Sequence, residues 1–453
     1  MPRYEFSEGT SNKFWEITLE GTSFTTRYGK IGTDGQTTEK SFKSEAEARK
    51  AYDKLVAEKT KKGYELVEGD GDEEGDDEEA PEEPRNPELA RAILADPDDV
   101  QSYLVYGDWL QSQGHPRGEL VAVHNALRAA PGLPDLVKAA SALLKKHERF
   151  LLGPLAPHQK TYDGNDRPAF GWHLGFIRSA RLAYSSFSHE DGEVDLGEIT
   201  RSLLDHPSGQ FLRDLVFGLN NDDGDTDYSE VVAALCEAPR PSIRSLFLAD
   251  FEYPDENEMS WNPVGDVSAV FGALQNLERL VLQGSEIDLG AAIDAPELKH
   301  LELHTGGLDQ KVVQAIASGK FPALETLILW FGSDNYGCNC AVADLLPLLE
   351  GANLPKVKHL GLMNCEFTDD IAAALATAEI LPRLQTLDLS MGMMTDAGTA
   401  HLVAHKAAFA HLTRLDVSDN YLTDQAPLDR LCKEVVYGTQ KTGDDYRYVT
   451  VGE

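Results

Sequence analysis

The chain has 453 residues, 42% of them hydrophobic, and a formal net charge of −35. It is too long for one ordinary core, so two to four domains are expected. Its acidity opposes binding of the molecule as a whole to a phosphate backbone.

The start, Met-Pro-Arg-Tyr-Glu-Phe, lacks the charged-then-apolar pattern of a signal peptide. No apolar run downstream approaches the ~18 residues of a membrane span, so no membrane contact and a cytoplasmic location are expected. Phe14–Leu19 and Ser23–Tyr28 read as strands, rich in β-branched and aromatic residues on either side of the turn Glu20-Gly21-Thr22. Gly29, Gly32 and Gly35 punctuate a tight connection. From Ser44 the pattern is helical, with Ala46, Ala51, Leu55 and Val56 behind a Ser44–Glu47 capping box, and the helix closes in the basic cluster Lys59, Lys61 and Lys62.

Three strings of this module, Asn12-Lys13-Phe14-Trp15-Glu16-Ile17, Arg27-Tyr28-Gly29-Lys30-Ile31-Gly32-Thr33-Asp34-Gly35-Gln36 and Lys59-Thr60-Lys61-Lys62-Gly63-Tyr64, resemble a WGR domain. That family occurs in poly(ADP-ribose) polymerases and in bacterial regulators resembling the molybdate-metabolism type. The resemblance implies a small α+β domain over residues 1–68. The signature Trp-Gly-Arg is Tyr28-Gly29-Lys30 here. In the polymerases the Trp and Arg contact DNA ends; Tyr28 keeps a stacking face and Lys30 a charge, but the guanidinium fork is lost.

Residues 69–86, GDGDEEGDDEEAPEEPRN, cannot bury apolar surface and repel one another, so an acidic, disordered linker is expected. Pro87 to about Leu127 reads as two short helices, the second running from Ser102 through His115 to Leu127. Asp108-Trp109-Leu110 and Gly114-His115-Pro116-Arg117-Gly118-Glu119 resemble a small repeat-companion domain that commonly precedes repeat arrays in bacteria. Residues 87–200 are therefore expected to be a helical companion region leading into the repeats.

The periodic signal lies from about 211 to 423. Leu412-x-x-Leu415-x-Val417-x-x-Asn420-x-Leu422 and Val357-x-x-Leu360-x-Leu362-x-x-Cys365-x-Phe367 match the leucine-rich-repeat template, with looser copies from Leu212, Ile243, Leu277, Leu298, Leu324 and Leu384. Helical returns are expected at 309–317, 369–378 and 396–405. Stacked copies predict an α/β solenoid, a horseshoe over 201–453 with a C-terminal cap, and the long returns resemble the ribonuclease-inhibitor type. The fold class is thus multidomain: a small α+β domain, an acidic linker and an α/β repeat horseshoe.

Residues alternating with the leucines should line the concave face. Phe247, Val281, Ile328, Trp330 and Met363, with Glu302 and His304, form the candidate partner-binding patch, because large apolar groups on such a face suit a protein interface. His300 and His304 are four residues apart on one strand, about 13 Å, too far to share a zinc ion, and read as surface histidines. Cys338-Asn339-Cys340 lacks zinc spacing, and Cys236, Cys338, Cys340, Cys365 and Cys432 form no disulfide framework. No phosphate loop, nucleophile elbow or dinucleotide fingerprint occurs, so neither catalytic residues, a metal nor a cofactor is expected. The expected function is a non-catalytic scaffold that binds a protein partner through the concave face, with the WGR-like module as a second contact. The alternative is a nucleic-acid-binding regulator acting through Tyr28, Gly29, Lys30, Lys59, Lys61 and Lys62.

Overall fold

Gly21, in the left-handed region at φ +53°, turns β2 (Ser11–Glu20) into β3 (Ser23–Lys30). With β1 (Arg3–Glu8), β4 (Gln36–Ser41) and β5 (Glu65–Glu68) these strands form an antiparallel sheet in the order β4-β3-β2-β1-β5. The helix α1 (Glu45–Lys61) closes a core of Trp15, Ile17 and Phe24 with Ala51, Tyr52, Leu55 and Val56. Strand β4 escaped the sequence reading because its side chains are exposed throughout and show no apolar alternation. The computed structural model describes residues 3–8, 11–31, 33, 35–62, 64–68, 83–159, 169–184, 195–221, 224–443 and 446–452. The chain divides into two compact units, 1–81 and 82–453.

The second unit starts earlier than composition implied. Residues 69–82 of the expected linker lie outside the described residues, but Glu83–Asn86 are built into the fold. Asn86 caps α2 (Pro87–Ala95), its side chain accepting from the N–H groups of Glu88 and Leu89. The Glu83 carboxylate accepts from Nε and Nη2 of the fully buried Arg117 guanidinium, at 2.7 and 2.5 Å. Charge composition marks a segment as unable to build a core; it does not see a buried cation waiting 34 residues away.

The stretch expected as one second helix is two, α3 (Val100–Ser112) and α4 (Arg117–Ala129). Gly114 turns left-handed at φ +75°, and Pro116 lacks the N–H that continuation would use. The two helices approach so closely that a Cβ on Gly118 would lie 2.5 Å from the Gly107 carbonyl. The helices α5 (Pro134–Lys146) and α6 (Glu148–Leu151) follow. Of the Asp-Trp-Leu and His-Pro-Arg-Gly-Glu strings, Leu110 and Gly118 are buried in α3 and α4, and Arg117 makes the buried ion pair with Glu83.

A hairpin, β6 (Phe170–His173) and β7 (Phe176–Leu182), then opens the large sheet. After it come α7 (Leu196–Asp205), β8 (Asp214–Phe217), α8 (Ser229–Cys236), β9 (Ser245–Leu248), β10 (Pro263–Asp266), α9 (Ser268–Ala273), β11 (Arg279–Gln283), β12 (Ser285–Asp288) and β13 (His300–His304). The chain continues through α10 (Gln310–Ser318), β14 (Thr326–Gly332), α11 (Val342–Glu350), β15 (His359–Cys365), α12 (Thr368–Leu375), β16 (Thr386–Asp388), α13 (Asp396–Ala404), α14 (Lys406–Phe409), β17 (Arg414–Asp416) and β18 (Val435–Val436). Among the described residues eleven strands join in the order β18-β17-β16-β15-β14-β13-β11-β9-β8-β7-β6, parallel from β7 onward, while β10 and β12 pair separately. Multidomain α/β architecture, with a small β-rich domain and a large parallel sheet, is the result.

The large sheet begins before residue 201, a boundary that falls inside α7. Ile177, Ala180 and Leu182 carry the template spacing with Ala in place of the second Leu, and Ala180 and Leu182 stand opposite Leu215 and Phe217. That substitution hid the first copy. The starting residues of the copies, from Leu212 to Leu412, are all buried, and they join α8, α10, α11 and α12 in one continuous core. Asn420, fully buried, donates to the carbonyls of Leu389 and Val417 and accepts from Met394 N–H, tying adjacent turns of chain together. Cys365 is fully buried at the matching position. Among the described residues no helix is long and apolar enough to cross a membrane.

Candidate functional site

Because strand side chains alternate, those opposite the leucines emerge on the sheet face away from the helices. Parallel pairing aligns them in rows. Phe247, Val281, Glu302, Ile328 and Gly361 are successive register partners across five strands, and the next row pairs Gln283 with His304 and Trp330 with Met363. Phe247, Glu302, His304, Ile328, Trp330 and Met363 are half-buried on this open face.

Val281 is not available there. It is 1% exposed, a short side chain between the longer Phe247 and Glu302 on strands about 4.8 Å away. Arg279, on the same face of β11, also reaches across to Glu302 at 3.8 Å. Ile328 and Met363 lean into the space Gly361 leaves, where a Cβ would meet them at 3.2 and 3.4 Å.

The two histidines are not loose surface groups either. His300 Nε2 and His304 Nε2 each lie 2.7 Å from a different oxygen of Glu302. The residue between them on the strand therefore bridges a pair whose backbones are far apart. Burial pushes the Glu302 carboxyl up, but the hydrogen bonds and charges of His300 and His304 outweigh it and hold it well below the usual carboxylate range. Gln283 Nε2 donates to the Phe251 carbonyl, which turns Gln283 Oε1 toward His304 Nδ1 at 3.2 Å. Both His304 nitrogens thus face side-chain oxygens. Among the described residues no group of three or more His, Cys, Asp or Glu side chains is arranged to hold a metal ion.

Trp330 lies flat on His304, ring centroids 4.2 Å apart at 25°. Its indole packs against the core, and its buried Nε1–H has no acceptor. The expectation of a solvent-facing tryptophan is corrected to one half-buried ring, because the imidazole below it and Met363 beside it fill the neighbouring rows.

In the small unit, Tyr28 is 41% exposed, and Lys30, Lys61 and Lys62 are exposed. Gly29 and Gly35 sit back to back: a Cβ on Gly29 would come within 2.8 Å of Gly35 Cα. The signature glycine is there for that approach. Lys59 is half-buried, its ammonium 5.2 Å from the Trp15 ring and 4.8 Å from Tyr64. Burial, then Lys62 and Lys13, lower its pKa. Lys13, passed over in the sequence, stands opposite Lys30 across the hairpin. Its place beside Trp15 and opposite the signature lysine was the available signal.

Comparison with known proteins places these observations. The WGR domain family matches residues 3–70, and a leucine-rich-repeat family matches residues 410–426. The chain is 44% identical over 62 residues to the uncharacterized protein YfeS of Escherichia coli (strain K12), covering 14% of this chain and 25% of that protein. Protein YehF of the same organism is 42% identical over 64 residues, 14% of this chain and 23% of that one. Protein NLRC5 of Ictalurus punctatus is 30% identical over 154 residues, 33% of this chain but 8% of its own length. The matched segments thus span a quarter or less of each of these relatives. A Bacteroides fragilis protein solved by the Northeast Structural Genomics Consortium superposes with a TM-score of 0.55 at 24% identity, covering 100% of this chain and 99% of that one, a likeness of fold alone. The chain carries a WGR domain at its N-terminus and a leucine-rich-repeat match in its large sheet, and has bacterial relatives in the WGR region.

Proposed function

We propose that the protein is a non-catalytic, cytoplasmic interaction scaffold. In this reading the repeats coil into a horseshoe of the ribonuclease-inhibitor type, the open face is its concave side, and a protein partner docks there. The observation that carries it is the set of large apolar side chains in two neighbouring rows, Phe247 and Ile328 in one and Trp330 and Met363 in the next, on the sheet face away from the helices and about the His300–Glu302–His304 network. Apolar anchors beside a polar network are what a protein interface uses, and a partner with an apolar knob fits this face best. The WGR domain and the repeat both fit a protein-interaction role, and two modules on one chain gain avidity when their targets share a complex. Neither the repeat nor the net charge of −35 favours nucleic acid as the target.

The test is capture from native lysate by wild type and by Ile328→Glu, a half-buried position. A defined protein retained by the wild type and lost at least about tenfold by the variant supports the reading. Identical capture by both overturns it.

A further inference from the structure

The loop that joins β14 to α11 carries two thiols, Cys338 and Cys340, that lie outside both the repeat template and the open face. The loop is held on either side of them. One turn of 3-10 helix, Asp334–Tyr336, ends at Gly337, left-handed at φ +102°. Cys338 N–H then donates to the Ser333 carbonyl at 3.0 Å, and Asn339 Oδ1 accepts from Gln310 N–H at 2.6 Å. Ala341 N–H donates to Asp344 Oδ2 at 2.9 Å, where α11 begins. Backbone pinned at these points leaves the two side chains little freedom to lose when they react.

Within this loop the thiols meet. Cys338 and Cys340 Sγ hydrogen-bond one another. The Cys340 thiol also reaches the Leu308 carbonyl at 3.2 Å. Both cysteines are half-buried, and Gly337, Asn339 and Ala341 around them are exposed, so a small reagent reaches the pair. A disulfide needs its sulfurs about 2.05 Å apart, and thiols already in hydrogen-bond contact close that gap by a small movement. All five cysteines of the chain are free thiols. Among the described residues no metal-holding group of three or more His, Cys, Asp or Glu side chains claims them.

The two thiols are chemically unequal. The hydrogen bond from Cys340, helped by backbone hydrogen bonds from Cys340 and Leu308, lowers the Cys338 pKa against burial and the charge of Glu366. The same contact, with burial, raises the pKa of Cys340. One sulfur is thus readied as a thiolate nucleophile while its neighbour keeps a proton, the division that thiol–disulfide exchange uses.

We propose that Cys338 and Cys340 are a redox-active dithiol that exchanges with small-molecule disulfides. The Cys338 thiolate attacks one sulfur of the disulfide and expels the other as a thiolate, leaving a mixed disulfide on Cys338. Cys340 gives up its proton and attacks Cys338 Sγ. The mixed bond breaks and the second small thiolate leaves. Two protein thiols are oxidised to one disulfide, one small disulfide is reduced to two thiols, and the two protons end on those thiols. The reverse exchange restores the dithiol. The site is independent of the open-face reading, since neither cysteine belongs to its rows, so either proposal can fail alone.

The experiment uses the full chain in glutathione buffers of graded oxidised-to-reduced ratio, quenched with acid, alkylated and mapped by peptide mass spectrometry. A peptide with a Cys338–Cys340 disulfide should appear as the ratio rises and vanish when reduced glutathione is restored. At its midpoint Cys236 and Cys432 should still be alkylated. Cys340→Ser keeps a hydrogen-bond donor but cannot close the ring, so glutathione should accumulate on Cys338. In Cys338→Ser, Cys340 should take up glutathione at least about tenfold more slowly than Cys338 does in Cys340→Ser. Equal rates in the two variants overturn the assignment of Cys338 as the attacking thiol. Wild type that stops at mixed disulfides, that links either cysteine to Cys365 instead, or that keeps both thiols free while Cys236 or Cys432 is modified overturns the proposal. That titration needs no variant and decides the pair by itself.

Discussion

At the scale of single residues, Glu302 and Arg117 carry the strongest expectations. The Glu302 carboxyl is held below its ordinary range. Its contribution is therefore complete above about pH 4.5 and is lost as pH falls, since the unfolded chain takes up the proton first. Glu302→Gln should lower stability at pH 7 by about 1–2 kcal/mol, and the gap to wild type should narrow progressively as melts are followed below about pH 4.5, with part of it remaining at pH 3 because the folded carboxyl is held well below the ordinary range. A gap unchanged between pH 7 and pH 3 would mean the carboxylate is not what the two imidazoles hold. Arg117→Ala leaves Glu83 buried without its cation and should cost about 3–5 kcal/mol in urea unfolding. Trp330→Ala should cost about 2 kcal/mol, less than the ~3–5 kcal/mol of a fully buried ring. The strand positions of these open-face residues were legible in the sequence, because the period of two is local. The bridge through Glu302, and the unpaired indole above it, depend on how side chains turn in the fold and were not.

At the scale of elements, glycines separate packing from mere flexibility. Gly118 lets α4 approach α3, and a Cβ there would lie 2.5 Å from the Gly107 carbonyl. Gly272 in α9 has nothing within 4 Å of where its Cβ would be. Gly118→Ala should therefore destabilise by about 1–3 kcal/mol, while Gly272→Ala should be neutral or stabilise by up to about 1 kcal/mol. Thermal melts of the two variants check the pair; equal effects would show that the close approach is easily relaxed. Helices α10, α12 and α13 fall within a few residues of their expected places, since acidic starts and apolar spacing lie in the segment itself. Strand β4 was missed because it lacks an apolar pattern and takes its place from its neighbour alone, and the copy at Ile177 because Ala180 stands where the template has its second Leu.

For the whole molecule, the division at residues 81 and 82 predicts two thermal transitions. Leu327, fully buried between Leu301 and Leu360 in the sheet, should on change to Ala destabilise the large unit by about 2–5 kcal/mol. The transition of the small unit should stay in place. Calorimetry of wild type and Leu327→Ala decides it, and one shared transition that moves as a block would refute the independence of the units. The sequence by itself determined the WGR-like hairpin, the repeat spacing, and the strand register that aligns Phe247, Glu302 and Ile328, because these follow from turns, alternation and a template a few residues long. Only the tertiary structure decided that Val281 is covered, that Glu83 is clamped by Arg117, and that residues 446–452 are gripped by Asn364. Those contacts join groups up to 87 residues apart in the chain, and no local pattern encodes which distant partner a side chain meets.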